Sequence, residues 1–200
     1  MPRPLPLPFW PFATYVIVAT AALAAWFLGE GLTESGLQMF TRHTARFSFS
    51  IFIVAFFASS LAKLAPASFT RALVRNRRCL GLAFALAHFI HLGAIIGYFT
   101  FLATVPDAAA IVGGGLGYVF VALLALTSTN AWMNRLGRNW KRLHTVGVYY
   151  IWIIFAQTYA GRVSAPDNLS AAAPSDPVVY AVLLAIALIA LSLRIVGLRR

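Results

Sequence analysis

Six long apolar runs, parted by short polar stretches, constrain this 200-residue chain more than any other feature. They lie at about 13–28, 47–64, 80–102, 110–126, 144–160 and 178–195. A bilayer core about 30 Å thick is crossed by roughly 20 apolar residues in a helix. Within lipid, only helices and closed barrels satisfy their own backbone groups. The chain therefore reads as all-α, a polytopic membrane protein built as a six-transmembrane-helix bundle, with one domain over residues 1–200. Charged residues make up 10% and the mean hydropathy is +0.80, whereas soluble domains carry about 25% charged residues. Six spans leave no room for a soluble flavin or nucleotide domain. The single cysteine, Cys79, excludes an internal disulfide framework and a Cys-ligated iron–sulfur cluster.

The net charge of +11 would suit nucleic acid, but its placement points to a membrane instead. With the N-terminus inside, the inner segments hold Arg3, Lys63 to Arg78, Arg135 to Arg142 and Arg194 to Arg200, which is 13 of the 16 basic residues. Arg42, Arg46, Arg162 and all five acids fall outside. The positive-inside rule then sets both termini in the cytoplasm, and no nucleic-acid partner is expected. The proline-rich lead MPRPLPLPFWPF and the first apolar run could be a signal peptide. A retained helix is preferred, because Phe9, Trp10 and Phe12 form an interfacial aromatic belt. Residues 30–46 read as an outer polar loop, and Gly161–Pro177 as a second one whose Asn168 triplet is a chance glycosylation match. Gly113, Gly114, Gly115 and Gly117 open the fourth span. No strand precedes them and no Lys-Ser/Thr follows, so they read as small residues for close helix packing rather than a phosphate loop.

The stretch Thr127–Arg162 carries the chemistry. A basic turn with Arg135, Arg138, Lys141 and Arg142 gives way to an apolar helix, and His144 sits at the seam. Two readings stand side by side. His144 can ligate a haem iron while arginines hold the propionates, or it can be an interfacial residue among cationic anchors. His88 and His91 lie inside the third span, where an imidazole is costly unless paired or ligated. His91 is about 11 residues into its span, roughly 15–20 Å outward of His144 by helical rise. One iron, with bonds of about 2 Å, cannot join them. They mark an inner and an outer level. Arg77 and Arg78 are level with His144, and Gln157 and Thr158 with His91. His88, one turn inward of His91, is a ligand, an orienting group or a packed polar residue. His43 reads as a solvated or headgroup-contacting residue beside its two arginines.

The runs RRCLGLAFALAHFIHL (Arg77–Leu92) and TSTNAWMNRLGRNWKRLHTVGVYY (Thr127–Tyr150) resemble the ferric-reductase-like transmembrane domain family. Within it they are most similar to the haem-binding membrane subunits of bacterial periplasmic methionine sulfoxide reductase systems (MsrQ/YedZ). The resemblance implies b-type haem, one or two, held between the third and fifth spans in the bacterial inner membrane. It assigns His91 and His144 as iron ligands. Where relatives carry another histidine, thirteen residues beyond His144, this chain has Gln157. The outer iron would then have a weak carbonyl-oxygen ligand or five-coordination, or no haem would bind there. Arg77, Arg78, Arg138 and Arg142 are the propionate candidates at the inner site. The expected role is an electron-transfer subunit rather than a self-contained enzyme, without catalytic residues of its own. Electrons would come from a cytoplasmic flavin reductase or membrane quinol and leave to a periplasmic redox protein. The alternative is a haem-poor membrane anchor for a redox partner. A small transporter fits less well, because no inverted repeat is visible.

Overall fold

A computed structural model describes residues 6–165 and 176–199, with side chains described up to Gly197. Arg3, the first prolines, Asp167, the Asn168 triplet and Arg200 lie outside the described residues. The described residues form eight helices and no strand: α1 (Trp10–Leu28), α2 (Glu34–Leu64), α3 (Ser68–Arg75), α4 (Arg77–Phe101), α5 (Ala108–Leu126), α6 (Asn130–Leu136), α7 (Arg138–Ser164) and α8 (Pro177–Arg199). Five are long and apolar enough to cross a membrane: α1, α2, α4, α5 and α8. That is the signature of a multi-pass membrane protein. α7 is 27 residues long, but basic residues at both ends, with Gln157 and Thr158 in its second half, leave it less apolar than these five.

Three stretches read as loops from the sequence are helical. Residues 34–46 form the first turns of α2, because Thr33 caps it by accepting from the Gly36 amide at 3.1 Å, with Glu34 in the first turn. At 31 residues, α2 is about 46 Å long, well beyond a bilayer core. The basic segment after α2 is the short helix α3, entered where the Thr70 hydroxyl accepts from the Ala67 amide at 2.9 Å. The basic turn before His144 is α6, capped by Thr129, followed directly by α7. Gly137, at φ +51°, makes the break between them in a region that favours glycine.

α2, α4, α5, α7 and α8 close a ring, each packed against the next and α8 back against α2, while α1 lies outside against α2 and α4. The ring closes tightly where α8 meets α2. A Cβ at Gly197 would stand 2.5 Å from the Ser60 Cβ, so glycine permits the approach. Gly147 similarly lets α7 approach Phe120 and Leu124 of α5. Of the α5 glycines, Gly117 faces Tyr150 and Ile154 of α7 and the Gly113 carbonyl accepts from the Tyr150 hydroxyl at 3.0 Å, while a Cβ added at Gly113, Gly114 or Gly115 would meet nothing within 4 Å.

An aromatic layer fills the ring at mid-height. Phe52 lies 5.1 Å from Phe84 and 5.5 Å from Phe155, and Phe49 lies 5.1 Å from Phe155 and 5.0 Å from Tyr159. Each such pair contributes about 0.5–1.5 kcal/mol beyond its buried area.

Candidate functional site

Helical periodicity puts the chemistry of α4 on one interior stripe. Arg77, Gly81, Phe84, His88 and His91 recur at three- and four-residue intervals. On α7 the matching stripe is His144, Val148, Ile151, Phe155 and Tyr159. Below the aromatic layer these stripes stand apart and enclose a cavity of about 500 Å³, within the roughly 300–1,000 Å³ usual for cofactor sites. His144 lies in its wall, and Lys63, Arg77, Arg78, Lys141 and Arg194 bring positive charge to it. Much of the remaining wall is small: Ala55, Gly81, Ala85, Ala125 and Ser128. A Cβ built on Gly81 meets nothing within 4 Å, so the glycine leaves room for a flat, bulky group.

Second contacts fix the rim. The Arg78 guanidinium donates to the Asn130 side-chain oxygen Oδ1 at 2.6 Å, tying α4 to α6. Lys63 Nζ donates to the Gly197 carbonyl at 3.0 Å, and Arg194 donates to the Phe56 carbonyl while lying over the Phe56 and Tyr149 rings. His144 stacks on Trp140 at 4.1 Å, and its Nε2 lies 3.0 Å from the Thr127 hydroxyl. That hydroxyl donates to the Leu123 carbonyl at 2.6 Å, so it accepts from the imidazole N–H. The lone pair of neutral His144 is thereby left on Nδ1.

The outer level is built on α2. Thr44 Oγ1 donates to the Thr41 carbonyl at 2.9 Å and therefore accepts from His91 Nδ1–H at 3.1 Å. One turn inward, Ser48 donates to the Ala45 carbonyl and accepts from His88 Nδ1–H at 3.1 Å. Both imidazoles carry their proton on Nδ1 and direct a lone pair on Nε2 away from α2. A hydrogen bond from the second ring nitrogen is what fixes the tautomer and orientation of a ligating histidine. Because both Nε2 atoms point away from the same helix, His88 and His91 cannot face each other across one iron, although their ring centroids are 5.5 Å apart. His88 is packed among Phe84, Phe155 and Tyr118, whose ring stacks on it at 4.7 Å.

The structure brings Arg77, Arg78 and His144 to one cavity, and His88 and His91 to one face above it. It does not bring Arg138, Arg142 or Gln157 inward. Arg138 and Arg142 are exposed on the first turns of α7 and do not line the cavity. Gln157 is exposed, while Phe155 and Tyr159 on either side of it are buried. Two residues along a regular helix is a turn of about 200°, which carries Gln157 to the far face. His43 is half-buried, bonded to the Met39 carbonyl and beside Phe27, so of its two readings the fully solvated one does not hold. Lys63 and Arg194 join the site only through the α2–α8 contact, which no local motif announces. Among the described residues no three His, Cys, Asp or Glu side chains group as a cage for a bare metal ion.

Over 121 residues the chain is 31% identical to the protein-methionine-sulfoxide reductase heme-binding subunit MsrQ of Xanthomonas euvesicatoria pv. vesicatoria (strain 85-10). The match covers 58% of this chain and 52% of the relative, so the chain spans about half the length of the curated relative it matches. No family model and no solved structure matches the chain. The likeness is to a haem-binding subunit of a methionine sulfoxide reductase system.

Proposed function

We propose that this chain is a b-type haem-binding membrane subunit that passes electrons across the bacterial inner membrane to a periplasmic redox protein. The observation that carries the reading is the inner cavity: one histidine, five basic side chains and a wall of small residues in a volume suited to a cofactor. These residues fit a haem. His144 would hold the iron, and Arg77 and Arg78 the propionates, with Lys63, Lys141 and Arg194 adding positive charge. Arg138 and Arg142 remain at the mouth, where they add to the positive potential without lining the site. When bound, haem supplies one-electron redox chemistry, and the axial ligand and surroundings set its potential. The chain's own contribution is to position that group, shield it from water with Phe52, Phe84 and Phe155, and neutralise its carboxylates.

A second haem at the outer level would be held by His91, with Thr44 fixing its ring. His88 orients and packs there, and Gln157 faces away, so this iron would have one protein ligand. We place α7 as the fifth of six spans with both termini cytoplasmic, on the distribution of basic residues. Membrane quinol or a cytoplasmic flavin reductase would supply the electrons, and the relative's name points to methionine sulfoxide reduction as their use.

The haem-poor anchor is the second reading. The outward Gln157 and the close packing around His88 favour it. Purified full-length protein separates the two: a Soret band with at least one haem per chain supports the cytochrome, and haem-free protein from haem-replete cells supports the anchor.

A further inference from the structure

Thr127 and Trp140 are not used by the haem reading, yet both meet His144 at the wall of the inner cavity. Thr127 is buried at the C-terminal cap of α5. Trp140 stands one turn before His144 on α7 and lines the cavity beside it. Three contacts join them. The Trp140 indole N–H donates to the Thr127 carbonyl at 2.8 Å. The indole stacks on the imidazole, with 4.1 Å between centroids and 28° between planes. The Thr127 hydroxyl, already donating to the Leu123 carbonyl, accepts from His144 Nε2–H at 3.0 Å. The ring is thus held by one face and by one nitrogen. Among the described residues, Thr127 is its one hydrogen-bond partner. His43 shows the alternative, because its Nδ1–H donates to the Met39 carbonyl one turn back at 2.9 Å. The outer histidines are held the opposite way, with Thr44 and Ser48 accepting from the Nδ1–H of His91 and His88.

From this geometry we infer that Thr127 and Trp140 are positioning residues, which lock His144 as the Nε2–H tautomer and keep Nδ1 as the nitrogen it offers in the inner cavity. The two levels of the ring then present opposite imidazole nitrogens, Nδ1 at the inner level and Nε2 at the outer. Turning the His144 ring to offer Nε2 instead would break its bond to Thr127. The bearing on iron rests on the haem reading above, whereas the tautomer does not depend on it. An acceptor behind a ligating imidazole raises its basicity, and a more basic axial ligand favours the oxidised iron. Thr127 therefore acts to hold the inner potential down.

The test uses full-length, detergent-solubilised wild type beside Thr127→Val, Thr127→Ser and Trp140→Phe. Nitrogen NMR of the histidine-labelled, haem-extracted chain reads the tautomers directly, with signals assigned by their loss in His144→Ala and His91→Ala. His144 is expected as Nε2–H and His91 as Nδ1–H; His144 found as Nδ1–H would overturn the lock. Haemin titration and the midpoint potential read the consequence for iron. Thr127→Val should lose about 10–100-fold in haemin affinity at the inner site and raise that midpoint potential, while Thr127→Ser keeps both. Trp140→Phe keeps the stack but lacks the N–H, and should lose about two- to tenfold. Affinity and potential unmoved in Thr127→Val would overturn the role of Thr127, and the same result in Trp140→Phe that of Trp140. Tighter haemin binding by Thr127→Val would also overturn it, because iron and Thr127 would then compete for Nε2. Haem-free wild-type protein would sink the functional reading and leave the tautomer measurement to decide the lock.

Discussion

Gly81→Leu separates folding from cofactor binding. Gly81 lies on the interior stripe of α4, lines the inner cavity, and has nothing within 4 Å of its Cβ position. A leucine there should enter the cavity rather than collide with a helix. Replacing glycine within a helix gains about 0.8–1 kcal/mol of propensity, and burying the new side chain adds up to roughly 1.5–3 kcal/mol. The cofactor-free protein should therefore be no less stable, with an upper bound near 4 kcal/mol of added stability from those two terms. The same side chain occupies the space assigned to the macrocycle, so haem bound at the inner level should be lost. Thermal unfolding of detergent-solubilised protein reads the first quantity, and haem extracted per chain reads the second. A Gly81→Leu protein that folds and keeps its full haem content would refute the assignment of this cavity. The contrast is Gly197→Val, where the first added carbon would meet Ser60 at 2.5 Å. Overpacking there should cost about 1–3 kcal/mol.

Other expectations follow from the same geometry. Thr44→Val removes the acceptor of His91 Nδ1–H and should weaken an iron ligated there by about 10–100-fold, with Thr44→Ser restoring it; unchanged outer-haem retention in the valine variant would deny Thr44 that role. Gln157→His should leave the spin state of the haem unaltered, since position 157 faces away from the ring interior; conversion to a low-spin spectrum would mean that α7 carries an extra residue in one turn, a π-bulge that swings position 157 inward. Reporter fusions after residue 200 should be active only for cytoplasmic reporters, and periplasmic activity would overturn the six-span topology with both ends inside.

The sequence carried the apolar cores of α1, α4, α5 and α8 plainly, because runs of apolar residues do not depend on what they pack against. It hid the outer turns of α2, since Glu34, Arg42, His43 and Arg46 look like a polar loop when counted by hydropathy. Their helicity comes from the Thr33 cap and from packing, as the buried Leu37, Gln38 and Arg42 show. The basic stretches concealed α3 and α6 for the same reason. His144, Arg77 and Arg78 were legible as one level, because depth along a helix follows directly from residue count. Rotation about the helix was not legible to the same degree. Gln157 and Tyr159 are two residues apart yet on different faces, and only the buried contacts with Phe49 and Phe155 show which one is inside. Lys63 and Arg194 reached the site through ring closure between α2 and α8. Arg46 and Arg162 were counted as loop charges, and their placement over the Tyr180 ring needed three helices in place.

The central claim is that the inner cavity holds a haem on His144. Its most direct measurement is haem per chain and the reduced-minus-oxidised spectrum of full-length wild type beside His144→Ala and His91→Ala. The account expects haem in the wild type, loss of the inner haem in His144→Ala with membrane insertion intact, and retention of the inner haem in His91→Ala. A His144→Ala protein with unchanged haem stoichiometry and spectrum would contradict it.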